Sequence, residues 1–131
     1  MKSTIISIAA AVFAFAVPAA AQDAGEGEYL SACASCHGVS AMGDGPMAEF
    51  MSVKTPGLTG LSAANDGDFP MLDVIHMIDG RSGIGGHGRE MPIWGARFKA
   101  DNIEYAGVYG AEVIARGRVL ALAEYIESIQ K

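Results

Sequence analysis

Two thiols and an imidazole stand side by side in this chain, in the run Cys33-Ala34-Ser35-Cys36-His37, a C-x-x-C-H pattern. On a helix, residues three apart share a face, so both thiols would point the same way. Several chemistries use such a pair. A redox-active dithiol of the thioredoxin kind calls for a βαβ setting, which the surrounding sequence does not suggest. A zinc site needs about four ligands, yet His76 and His87 are the only further histidines and no third cysteine exists. A disulfide closing so short a loop adds little stability. The reading that uses all three residues is covalent attachment of c-type haem, for which C-x-x-C-H is the signature. Thiols at i and i+3 can reach the two vinyl groups along one porphyrin edge. His37 is then carried beneath the ring with its imidazole aimed at iron.

A second axial ligand would come from elsewhere in the chain. Met42, Met47, Met51, Met71, Met77 and Met91, with His76 and His87, are the available donors. Methionine is most often a gap-filling core residue, and that is the reading for Met71 and Met77. Met47 and Met51, four apart, are expected to line one face over the cofactor or core. Met91 follows a glycine-rich loop and is held extended by Pro92, which makes it the first choice. His87, in the same loop, is its rival, and an open sixth position is the third option. Trp94 is expected to pack in the core or to contact a propionate through its indole N–H. Arg81, Arg89 and Arg97 flank this loop and are candidate propionate partners, or else solvated cations.

The elements that must position these residues can be read from periodicity and breakers. Residues 23–36 read as a first helix leading into the cysteine motif. Residues 39–65 are rich in Gly, Pro, Ser and Thr and read as loop, with a helical turn or two near 47–53. Asp66 is a candidate N-cap for a middle helix with the stripe Phe69, Leu72, Ile75 and Ile78, ending at Gly80. A loop with four glycines follows in residues 82–88. A short helix is expected within 102–110. The last helix runs from about Glu112 to Ile129, with Val119, Leu122, Ile126 and Ile129 as its apolar stripe and Gly117 as its weak point. The expected class is all-α, with three to four helices joined by long glycine-rich loops. Loops of that length are normally functional, and here they would wrap a non-protein group.

At 131 residues the chain is expected to be one domain. Seventeen glycines are about twice the usual share of about 7 %. The formal net charge of −6, without a basic patch, argues against nucleic acid as a partner. Residues 1–21 read as a signal peptide: Lys2, an apolar run from Ile5 to Val17, Pro18, and Ala19-Ala20-Ala21 before a cleavage point at Gln22. The apolar run is shorter than the ~20 residues a membrane span needs, so no span is expected after cleavage. The mature domain would be 22–131, monomeric and periplasmic, and loss of Lys2 takes the charge one unit further negative.

The chain resembles the class I c-type cytochromes, of the small bacterial monohaem kind, over nearly the whole mature region. Gly25 and Tyr29 stand eight and four residues before Cys33, as a Gly and an aromatic do in that family. Leu122 and Tyr125 match its crossing pair on the C-terminal helix. Pro56-Gly57-Leu58-Thr59-Gly60-Leu61 matches its Pro-x-Leu-x-Gly-Leu segment, with a longer loop after His37 than in the mitochondrial members. Met91-Pro92, followed by Trp94-Gly95, looks like the segment bearing its sixth ligand. The resemblance implies a cytochrome c fold around one covalent haem c held by Cys33 and Cys36. His37 and Met91 would be its axial ligands, and the Pro56 carbonyl would accept the imidazole N–H. An ordinary loop proline is the other reading of Pro56. The implied function is one-electron transfer between redox-partner proteins, not catalysis. The rival readings are the cytochrome subunit of a periplasmic dehydrogenase or oxidase complex, and a gas-binding haem protein.

Overall fold

The structure is a computed structural model that describes residues 19–81 and 91–131. Residues 1–18 of the expected signal peptide lie outside the described residues, as do His87 and Arg89. Ala19, Ala20 and Ala21 form the start of helix α1 (Ala19–Ala32). A second, single-turn helix α2 (Ala34–His37) carries the motif. Helices α3 (Met71–Asp79), α4 (Trp94–Ala100) and α5 (Ile103–Ser128) follow, with 3-10 turns at Ala48–Phe50 and Ala63–Asn65. No strand occurs among the described residues. The all-α expectation holds, with one helix more than expected.

The core is organised around α5. Its buried face is Ala111, Ala115, Val119, Leu122, Ala123 and Ile126. α1 crosses this face where Gly25 is buried; a Cβ there would stand 2.8 Å from Tyr125 Cβ and would also meet the Ala121 carbonyl. The missing side chain therefore allows the two backbones to approach closely. One turn on, Tyr29 is fully buried, lies 5.3 Å from the Tyr125 ring centroid, and donates its hydroxyl to the Gly38 carbonyl at 2.7 Å. Burial raises its pKa above the ordinary tyrosine value, so it remains a neutral donor. This one crossing thus fixes the start of the loop that follows the motif.

Three expectations about the helices need correction. Asp66 is not an N-cap: it sits in the left-handed region (φ 54°) just after the second 3-10 turn, and α3 begins later, with Pro70 at its N-cap. Leu72 is 69 % exposed, while Val74 and Ile78 are buried, because α5 covers the side of α3 that holds those two. The break in the last helix falls at Gly107 (φ 68°, ψ 173°), whereas Gly117 continues the helix. α4 is an addition to the expected elements. It is set by the pair Trp94 and Phe98, one turn apart with ring centroids 5.5 Å apart, and Phe98 is buried.

The C-terminal ends of α3 and α4 are tied to α5 by charges. Arg81 bonds both oxygens of Asp79 and reaches Glu112 at 2.7 Å, and Lys99 and Arg116 also contact Glu112 at 3.1 and 2.9 Å. Hydrogen bonds from Arg81, Arg116 and Lys99 hold the Glu112 carboxyl down to about 2, and Arg81 lowers Asp79. A carboxylate depressed on folding contributes stability that is complete above its unfolded value, about 4.3 for Glu, and is lost as pH falls through the folded value. The denaturation midpoint should therefore fall between about pH 4.5 and pH 2. Glu112→Gln should flatten that part of the curve, and an unchanged acid slope in the variant would show that the cluster contributes nothing.

Candidate functional site

The motif sits at the break between α1 and α2. Cys33 is the residue between the two helices, and its carbonyl accepts from the backbone N–H groups of Cys36 (3.1 Å) and His37 (2.9 Å). The chain after His37 then folds back onto it. Gly43, Gly45 and Met47 donate to the carbonyls of His37, Cys36 and Ser35 at 2.8, 3.1 and 2.8 Å. At Gly45 a Cβ would stand 2.6 Å from the Ala34 carbonyl oxygen, so only glycine allows this approach. Leu58 N–H donates to Ala41 carbonyl at 2.7 Å, which seats the next loop beside the motif.

That stacking delivers Pro56 to His37. His37 Nδ1 lies 3.0 Å from the Pro56 carbonyl oxygen, nineteen residues away. Since the carbonyl only accepts, Nδ1 carries the proton, and the lone pair of that tautomer is on Nε2. The longer loop therefore does not displace Pro56 from the imidazole. The C-terminal residues brace the same loop: Gln130 donates to the Leu58 carbonyl at 2.8 Å, and its side-chain oxygen accepts from Ser62 N–H at 3.0 Å. Burial lowers the His37 pKa, with the Pro56 carbonyl working against it, so the ring is kept neutral, the form that binds a metal.

Two apolar lobes open beside the motif, of about 210 and about 190 Å³. Both are bounded by Cys33, His37, Pro56 and Met91. The first continues along Cys36, Met51, Val53 and Trp94, the second along Leu58, Leu61, Val74, Met77 and Ile126. A slot with two thiols at its edge, an imidazole on one wall and a thioether at its border suits a flat apolar ring bearing iron. It does not suit a reactive dithiol: burial first, then Glu28 and Cys36, push the Cys33 thiol up to about 12, whereas nucleophilic cysteines are depressed. Among the described residues no group of three or more His, Cys, Asp and Glu could hold a bare metal ion.

Other candidates fall elsewhere. Arg81 is committed to Asp79 and Glu112, beside a separate cleft that also takes His76 and Arg116, so it is no propionate partner. Arg97 stands 5.1 Å over the Trp94 ring. Met51 reaches the slot, but Met47 is 46 % exposed in the adjoining turn. Met71 packs against the core, and Met42 Sδ accepts from Thr59 Oγ1 at 3.2 Å. Met77, expected as core filling, borders the second lobe, and Thr55 and Asp73 join the lining without having been expected there. Asp73 has one sequence signal, its place four residues before Met77 and so on the same helical face.

The family whose model is described as Cytochrome c matches residues 22–109, and the chain belongs to that family of haem-binding electron carriers. Membership implies covalently bound haem c and redox partners. Neither a search of curated proteins nor one of solved structures returned a match. The matched segment stops at Tyr109, so Leu122 and Tyr125 lie beyond it, on the part of α5 that packs against α1. Among the described residues no helix is long and apolar enough to cross a membrane.

Proposed function

We propose that this chain is an exported, single-haem electron carrier with His37 and Met91 as axial ligands. The observation that carries the reading is the His37 Nδ1 contact with the Pro56 carbonyl, together with Met91 bordering both lobes that His37 borders. Cys33 and Cys36 would hold the haem through thioether bonds. The haem, when bound, supplies a one-electron ferrous–ferric couple. The protein's own work is orientation and exclusion of water. Pro56 fixes the imidazole tautomer and ring plane, Met91 would supply the second iron ligand, and the apolar walls keep the site at low dielectric. Cleavage after Ala21 would release the 22–131 domain into the periplasm, and N-terminal sequencing of the mature protein should begin at Gln22. Spectra of the oxidised and reduced protein test the ligand set: a weak far-red sulfur–iron band in the ferric form is expected. Ready binding of carbon monoxide by the wild type would contradict it.

The surface suggests how such a carrier meets its partner. Only Lys54, Lys99 and Lys131 remain after Lys2, and Lys99 is engaged by Glu112. Lys54 alone borders the slot, so a docking ring of lysines is absent from the described rim. Val39, Phe50, Val53 and Ile93, in the segments flanking the slot, are 76, 72, 55 and 51 % exposed. Electron transfer with isolated partners should show little ionic-strength dependence if these residues make the contact, or a fall with salt if the partner is basic. Strong, salt-sensitive binding to an acidic partner contradicts both.

A further inference from the structure

We propose that Arg118 is a positioning residue for the Met91 side of the site, acting through Phe98 and Trp94. The inference rests on the axial role given above to Met91. Arg118 lies on α5, away from the residues that border the slot. Its guanidinium stands 3.9 Å from the centre of the Phe98 ring. Its Nε and one terminal nitrogen donate to the two oxygens of Glu28 on α1, at 2.6 and 2.8 Å. The other terminal nitrogen approaches Asp101, just past α4, at 3.7 Å.

One planar cation therefore ties α1, the helix that delivers Cys33, to α4, the helix that begins three residues after Met91. The fork and the flat face are both in use, and a lysine offers neither. The Arg118 and Glu28 side chains are only 28 and 21 % exposed, so solvent screens this pair less than a surface bridge. From Phe98 the contact passes to Trp94 at 5.5 Å. Trp94 borders the first lobe together with Pro92 and Met91. Between Met91 and α4 stand only Pro92, with its fixed φ, and Ile93, whose carbonyl already accepts from Arg97 N–H at 3.2 Å. The segment has little slack, so a shift of α4 moves the thioether.

The test uses ferric holoprotein, its far-red band, and titration with imidazole, which must displace the thioether to bind iron. Arg118→Ala should weaken the band and tighten imidazole binding about tenfold, the low end of the ~10–100-fold effects of outer-shell partners. Glu28→Gln should shift both in the same direction by less, and Arg118→Lys should rescue only part of the loss. These milder variants decide the matter if Arg118→Ala does not fold. Lower thermal stability with an unchanged band and unchanged imidazole affinity would overturn the inference and leave Arg118 a plain tie between helices. A wild type without the band would defeat the Met91 assignment itself, and this inference with it, whereas a normal wild type with silent variants defeats only the inference.

Discussion

Replacing His37 by Ala, or Cys36 by Ala, is expected to abolish accumulation of stable holoprotein. His37 is 6 % exposed and stands where both lobes meet. Its loss removes the donor to the Pro56 carbonyl, but Pro56 is exposed, so water can take over much of that bond. The larger loss is the cofactor. At ~24 cal/mol per Å³ of cavity, the 210 Å³ lobe alone corresponds to about 5 kcal/mol if nothing fills it. That is an upper bound, since the lobe opens to solvent. It is nonetheless comparable with the ~5–15 kcal/mol that holds a whole small domain together. Domains of this size also bury a limited fraction of their surface and lean on bound groups. Cys36→Ala leaves one attachment and an unsupported slot. Both variants should be cleared by protease, judged by immunoblot of exported material against wild type. A compact, protease-resistant chain without haem would show that the protein core suffices on its own.

What the residues alone could disclose depends on the range of the interaction. The Cys33–His37 motif is legible because its geometry is local: five consecutive residues on one turn carry the whole attachment chemistry. Pro56 can be named only through the family resemblance. Its approach to His37 depends on Gly45 packing against the motif backbone and Gly43 against Thr55 and Pro56, which no periodicity reports. Asp66 misleads because an Asp before an apolar run has two local uses, capping a helix start or taking a left-handed turn. Here the preceding 3-10 turn decides it. Leu72 misleads for a different reason. A helix with apolar residues on two faces shows its true core side only once a neighbour arrives, and α5 covers Val74 and Ile78. The Trp94–Phe98 pair is a helical signal in plain view, masked because the preceding Pro92 reads as loop. Arg81 has no local mark of its fate, since Glu112 stands 31 residues away.

Met91→Ala is expected to lower the reduction potential and open the iron. A thioether favours the ferrous state, and His/Met ligation raises the potential. Losing it should cost on the order of 0.2 V, a quarter of the ~0.8 V that axial ligands span. Met91 is only half-buried at the border of the lobes, so truncation should cost less than the ~2–5 kcal/mol of a fully buried Met→Ala change. The fold should therefore survive and the effect should be read at iron. Redox titration should show the fall, the ferric spectrum should lose its far-red band, and cyanide and carbon monoxide should bind where the wild type excludes them. His87→Ala serves as the counterpart, because His87 is the rival donor from the adjoining loop. It should leave potential and band unchanged. If instead His87→Ala opens the iron and Met91→Ala does not, the ligand is the imidazole. The potential of the wild type would then be low, since a second histidine lacks the thioether's preference for ferrous iron. The Arg118 variants would in that case be silent at iron, because the contact through Phe98 and Trp94 leads to Met91.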